Sequence, residues 1–284
     1  MKGLSCNSAL FAHLDVVECM HILADNGFQA IDVSMEMDPP FLPKPPPHMY
    51  VDADAQERAR VARGTRRLGL DFGTVNAHTN LIDGDPDARA ANLDFVMGCL
   101  QVAADLECRY VICGGGMKNM YGREAVYWAR MLEAFHAILA RGQELGVTLL
   151  IECASLPGCL VHDLAGMQKL MAEEGMDTLQ VLFDPAHYHV RGDDVAGAFR
   201  TLGPRIRHIH AKDASGYVED FEFPPLGLGD IDFRELLHTA VDVGYTGYVS
   251  LEYEGFAWGH RPNPLTILQE GRDFLLSVLA EVGA

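Results

Sequence analysis

The chain has 284 residues, 49% hydrophobic and 22% charged, a composition that builds a sizeable buried core and excludes general disorder. Its formal net charge of -18 repels polyanions, so nucleic acid is not an expected partner. No apolar run approaches the roughly 20 residues that span a bilayer, so no membrane partner is expected either.

The first residues, Met1 to Cys6, read as the start of a strand rather than as a signal peptide. Seven cysteines, without paired CxxC spacing and with Cys99, Cys113 and Cys153 inside apolar segments, fit a reducing compartment. The expected location is cytoplasmic.

Apolar, β-branched runs at 4–7, 30–35, 72–76, 110–113, 147–153, 179–184, 206–212 and 248–253 predict eight strands. Apolar residues recurring at three and four predict helices over 13–26, 52–68, 87–107, 122–145, 163–174, 193–202, 232–243 and 264–281. Gly27, Gly69, Gly146, Gly175, Gly203 and Gly244 stand where helices have to stop. Asp52, Asp163 and either Asp230 or Asp232 are candidate helix caps. Eight strands alternating with eight helices predict a single (β/α)8 TIM barrel spanning 1–284. The rival, an open doubly wound sheet, lacks its nucleotide fingerprint, because Gly114-Gly115-Gly116-Met117 is not GxGxxG.

Two longer loops follow strand ends. The first, 36–50, holds a proline-rich run from Pro39 to Pro47 that reads as a stiff surface excursion or as a rim over the barrel mouth. The second, 215–229, carries Phe221, Phe223, Pro224 and Pro225.

Four of the strands end in an acid or an imidazole: Glu152, Asp184, His210 and Glu252. The C-terminal ends of parallel barrel strands converge on one mouth, so residues far apart in sequence can meet around one ion. Each has a plainer reading on its own. Glu152 suits a structural ion pair, and Asp184, before Pro185, suits a helix cap. His208 and His210 share a face by period two, as do Glu252 and Glu254. His210 is the preferred ligand and His208 reads as a hydrogen-bonded interior histidine; Glu252 is preferred and Glu254 held in reserve. His187 is expected above the mouth, where it suits a hydrogen bond to a substrate hydroxyl, completion of the metal shell or a plain surface position, and His189 reads as a surface or supporting residue. Three carboxylates and one imidazole suit an oxygen-loving divalent ion better than a thiolate zinc site.

The segments His210-x-Lys212-Asp213, Pro225-Leu-Gly-Leu-Gly-Asp230-Ile-Asp232-Phe and Gly244-Tyr-Thr-Gly-Tyr-Val-Ser-Leu-Glu252 follow one another in a distinctive order. With the early stretch from Ala24 to Ser34, they make the chain resemble, over nearly its whole length, the xylose isomerase-like superfamily. That group includes sugar isomerases and epimerases, inosose dehydratases and endonuclease IV-type enzymes. The resemblance implies one divalent metal on Glu152, Asp184, His210 and Glu252, with Mn2+ first and Co2+, Mg2+ or Zn2+ as alternatives. It implies catalytic roles for Glu152 and Glu252 on either side of the reacting carbon, and substrate contacts from His187, His78 and Lys212. It also implies a homo-oligomer, dimer or tetramer. The chain departs from the ketose 3-epimerases in lacking a further acid in Cys153-Ala-Ser-Leu-Pro-Gly158 and an arginine after His210. It lacks the histidine-rich endonuclease set, since strand four ends in Cys113-Gly114-Gly115.

The expected activity is metal-dependent isomerisation or epimerisation of a small ketose, cyclitol or related polyhydroxy carbonyl compound through an enediolate. Few basic residues beyond Lys212 and Arg261 are expected near the mouth, which favours an unphosphorylated substrate. One alternative is a lyase on the same scaffold, of the inosose or dehydroshikimate dehydratase type or cleaving C-glycosides. In that reading Phe41, Phe221, Phe223, Phe256 and Trp258 accommodate an apolar substrate portion. The other alternative is a non-catalytic partner subunit that binds sugar or metal.

Overall fold

The computed structural model describes residues 1–36, 46–119 and 122–283. Most of the proline-rich segment 38–48, Phe41 included, lies outside the described residues, and its two readings stay where the sequence left them. In chain order the elements are β1 (Gly3–Cys6), α1 (Val16–Asp25), β2 (Ala30–Ser34), α2 (Ala55–Leu68), β3 (Asp71–Asn76), α3 (Pro86–Asp105), β4 (Tyr110–Gly114), α4 (Glu124–Leu145), β5 (Thr148–Glu152) and α5 (Leu164–Met171). There follow β6 (Gln180–Phe183), α6 (Pro185–Val190), α7 (Val195–Leu202), β7 (Ile206–Ala211), a hairpin of β8 (Ser215–Tyr217) and β9 (Asp220–Glu222), α8 (Phe233–Asp242), β10 (Tyr248–Leu251) and α9 (Pro264–Val282).

Eight parallel strands run in the order β1-β10-β7-β6-β5-β4-β3-β2, a nearly closed TIM barrel ringed by helices, as the alternation predicted. The seam between β1 and β2 is thin. The Gln29 N–H donates to the Leu4 carbonyl at 2.9 Å, the Leu4 N–H donates to the Gln29 side chain at 2.8 Å, and Asn7 bridges Asp32.

Local chemistry explains the punctuation. Gly69 and Gly146 end α2 and α4 at φ 70°, where a Cβ would be strained. Gly203 differs from expectation: it sits at φ -40° and opens a 3-10 turn that carries α7 directly into β7. Asp163 and Asp232 cap α5 and α8 as expected, but α2 is capped by Asp54, not Asp52, through the Glu57 N–H at 2.8 Å. Asp230 instead accepts the Gly216 N–H of the hairpin.

The barrel interior divides by chemistry. Ile112, Leu150 and Leu182 make a small apolar plug from β4, β5 and β6. On the other side Ser5, Asp32, Thr74, His208 and Ser250 are all buried. The main hydrophobic core lies outside the strands, between barrel and helices. Among the described residues no helix is long and apolar enough to cross a membrane.

Candidate metal centre

Strand ends supply the site. Glu152 closes β5, His210 lies near the end of β7, Glu252 directly follows β10, and Asp184 follows β6 as the N-cap of α6. Asp184 is the helix cap that one reading expected: its Oδ1 accepts the Ala186 N–H at 2.9 Å, while its Oδ2 lies 2.7 Å from Lys212 Nζ. One ligand atom from each of Glu152, Asp184, His210 and Glu252 lies within 4.8 Å of the rest, and all four residues are buried. His210 Nδ1 stands between the two glutamates, 3.2 Å from Glu152 Oε1 and 3.0 Å from Glu252 Oε2.

This donor set fits a divalent ion. Oxygen and nitrogen ligands about 2.1 Å from an ion lie roughly 3 Å apart at right angles, which matches the spacing around His210. Asp184 Oδ2 is fully buried and lacks a partner with hydrogen-bond geometry, although Lys212 Nζ is 2.7 Å away. Uncompensated buried carboxylates are very unfavourable, so the cluster needs cationic charge.

Lys212 supplies part of that charge. Only 2% exposed, its ammonium lies 2.7 Å from Asp184 Oδ2, 3.1 Å from Glu252 Oε2 and 2.8 Å from Glu254 Oε2, with His187 Nε2 at 3.3 Å. Burial opposes its charge, but Asp184, Glu252, Glu254 and Glu152 outweigh burial and hold it protonated. Burial raises Asp184 to about 7, with Lys212 pulling down and Glu152 and Glu252 pushing up. Glu152 resists its burial because His78 and His210 face it, and it stays well below the usual carboxylate range. Glu252 is lowered in the same way by His210 and Lys212. His210 is buried too, yet Glu252, Asp32 and Glu152 raise it well above an ordinary imidazole.

Two more histidines complete the surroundings. His78 Nε2 is 2.8 Å from Glu152 Oε2 and 3.8 Å from Glu36. His187 Nδ1 is 2.9 Å from the Ser155 hydroxyl, and burial together with the Lys212 charge lowers it to about 3, so the ring is neutral. Thus the seven residues singled out from the sequence form one network. A cleft lined by Asn7, Leu10, Glu36, Glu254 and Phe256 opens beside Glu252.

Several contacts escaped the sequence reading. Asn7 donates to Glu252 Oε1 at 2.6 Å; an uncharged residue at the end of the first strand gave no signal. Asp32, in the middle of the apolar run of β2, pairs with His208 at 2.7 Å, and a lone acid inside such a run was the available clue. Arg191, a base not foreseen here, donates to the Ser155 carbonyl at 2.7 Å. Arg261, expected near the mouth, is exposed and donates to the Phe256 and His260 carbonyls. His208 is the interior histidine the sequence suggested, and His189 stacks on Tyr217. Phe221, Phe223 and Trp258 pack on one another at 4.9–5.5 Å, and Phe223 meets His187 edge-on.

The family described as xylose isomerase-like TIM barrel matches residues 14–278. Fructoselysine 3-epimerase of Escherichia coli O157:H7 is 24% identical over 177 residues, covering 61% of this chain and 62% of that protein's length. Inosose dehydratase of Lacticaseibacillus casei is 27% identical over 142 residues, covering 45% of this chain and 47% of the relative. Among solved structures, a D-tagatose 3-epimerase-like protein superposes with a TM-score of 0.80 at 18% identity, covering 100% of this chain and 98% of that one.

Proposed function

Because the chain belongs to the xylose isomerase-like TIM barrel family, we propose that it is a divalent-metal-dependent isomerase or epimerase of a small ketose, cyclitol or related polyhydroxy carbonyl compound. The observation that carries this reading is the placement of Glu152 and Glu252 on either side of His210 Nδ1, inside a buried cluster of three carboxylates and one imidazole. Similarity to an epimerase and to a dehydratase of polyols supports the substrate class.

A C–H beside a carbonyl is a weak acid, so its removal needs a positioned base and stabilisation of the charge that develops. Glu152, Asp184, His210 and Glu252 would hold the ion, Mn2+ by preference, which supplies Lewis-acid polarisation of the carbonyl. Glu152 and Glu252 are both ionised, which suits one to take the proton and the other, once protonated, to return one. His78 and Asn7 fix the outer oxygens of these carboxylates at 2.8 and 2.6 Å and so aim the inner ones. Neutral His187 would contact a substrate hydroxyl, and Lys212 beside it, whose three donors face Asp184, Glu252 and Glu254, would set the charge of that side of the site. No arginine pairs with the four clustered residues among the described contacts, which favours an unphosphorylated substrate.

The similarity to inosose dehydratase favours one second reading: the same proton abstraction followed by loss of a β-hydroxyl as water. The aryl-accepting form of the lyase has less support, because Phe221, Phe223 and Trp258 are occupied with one another. A dimer or tetramer belongs to the proposal, and light scattering tests it. For the activity, ketoses and inososes are screened by NMR after chelation and after adding Mn2+. Turnover that requires the added ion is expected; full turnover in the presence of chelator contradicts the reading.

A further inference from the structure

Beneath the four clustered residues lies a second buried polar group that the proposed reaction does not use. Asp32 is fully buried at the middle of β2. Its Oδ1 accepts the Ser5 hydroxyl at 2.8 Å and its Oδ2 stands 2.7 Å from His208 Nε2. The same Oδ2 faces His210 Nε2 at 3.7 Å, and that nitrogen is buried without a hydrogen-bond partner. The backbone makes room for the carboxylate: a Cβ on Gly73 would come 2.1 Å from Asp32 Oδ1 and 2.9 Å from the Ser5 hydroxyl.

Asp32, His208 and His210 lie close enough to suggest a metal site of their own. The 2.7 Å between Asp32 and His208 argues otherwise, because it is a hydrogen-bond length, whereas two ligands of one ion lie roughly 3 Å or more apart. His210 therefore joins two layers, with Nδ1 toward Glu152 and Glu252 and Nε2 toward Asp32. A ligating imidazole must present a lone pair from one nitrogen and keep its proton on the other, and a carboxylate facing the second nitrogen fixes that choice.

We propose that Asp32 is a positioning residue that holds His210 with its proton on Nε2 and its Nδ1 lone pair free for the ion, with Ser5 and His208 holding Asp32 in turn. The inference rests on the ligand set proposed above. Asp32 touches no reacting atom; it acts through His210, and a residue that served only to fill the barrel would influence neither affinity nor tautomer.

The test uses the full-length protein with Mn2+ for affinity and Zn2+ for NMR. Wild type is expected to bind one ion, and the 15N shifts of the Zn2+-loaded protein should show His210 protonated at Nε2. Asp32→Asn is expected to weaken Mn2+ binding about 10- to 100-fold. Ser5→Ala, which leaves the carboxylate in place, should weaken it less and keeps the test open if Asp32→Asn folds poorly. Absence of binding by wild type overturns the ligand set and this inference with it. One bound ion in wild type, with His210 protonated at Nδ1 or with both variants binding as tightly as wild type, overturns the role of Asp32 alone.

Discussion

At the scale of single residues, the unusual member is Lys212, a buried ammonium held by Asp184, Glu252 and Glu254. It offsets carboxylate charge that a bound ion would otherwise have to balance alone. Lys212→Met should therefore lower stability in chelator by about 3–5 kcal/mol, the usual consequence of stranding buried charges, and should enlarge the stabilisation gained on adding Mn2+. Denaturant titration with and without the ion checks this; an unchanged midpoint in chelator would count against it. The pH dependence of ion binding follows from Asp184 and His210. Asp184, raised to about 7 by burial, is protonated below that pH, and His210 is held protonated well above its ordinary range by Glu252, Asp32 and Glu152. Both protons must leave before these atoms can bind a cation, so affinity rises with pH by about tenfold per unit for each proton displaced. The rise should continue past pH 7. Calorimetry in buffers of different ionisation enthalpy reads the released protons, and an affinity flat from about pH 5.5 to 8 would contradict the assignment. The sequence made these residues visible as polar ends of apolar runs. Asn7 and Asp32 stayed hidden because their significance lies in contacts across the barrel, 245 and 176 positions away in the chain.

At the scale of elements, the segment after β7 is latched by one carboxylate. Asp213 accepts the N–H groups of Ala214, Gly227, Gly229 and Ile231 at 2.9–3.4 Å. A Cβ on Gly229 would stand 2.3 Å from Asp213 Oδ1 and 2.6 Å from the Ala214 carbonyl, so the position admits only glycine. Asp213→Ala, which leaves the buried N–H groups of Ala214 and Ile231 without their acceptor, and Gly229→Ala, which pushes a Cβ into Asp213 and the Ala214 carbonyl, should each cost about 2–4 kcal/mol in urea unfolding. Losses under about 0.5 kcal/mol for both would show that no latch exists. The sequence read His210-x-Lys212-Asp213 and the Leu-Gly-Leu-Gly-Asp230 segment as two distinctive strings, and the structure joins them through this carboxylate. All eight barrel strands were legible as apolar, β-branched runs, and the eight helices predicted between and after them were legible as apolar residues recurring at three and four. The hairpin β8–β9 and the six-residue α6 were not, since three-residue strands carry no alternation and Pro185 in α6 hides a helix start behind a strand end.

At the scale of the whole molecule, barrel closure decides whether the four strand ends converge. β1 and β2 meet through Gln29, Leu4 and the Asn7–Asp32 bridge, whereas β4 and β5 pair along five residues. Native-state hydrogen exchange should find the seam amides opening with lower free energy than those of β4 and β5. Equal protection would mean that closure is as strong there as elsewhere. The seam matters for function because Asn7 and Asp32 reach from it to Glu252 and to the histidines of β7. The central claim, that Glu152 and Glu252 move a proton at a carbon beside a carbonyl, is tested most directly by solvent deuterium. With Mn2+ in D2O, and a panel containing D-tagatose, D-psicose and inosose, wild-type product should carry deuterium at that carbon. Folded Glu152→Gln and Glu252→Gln should bring in none and should lose turnover by several orders of magnitude. Product free of solvent deuterium, or a near-normal rate in either variant, would contradict the claim.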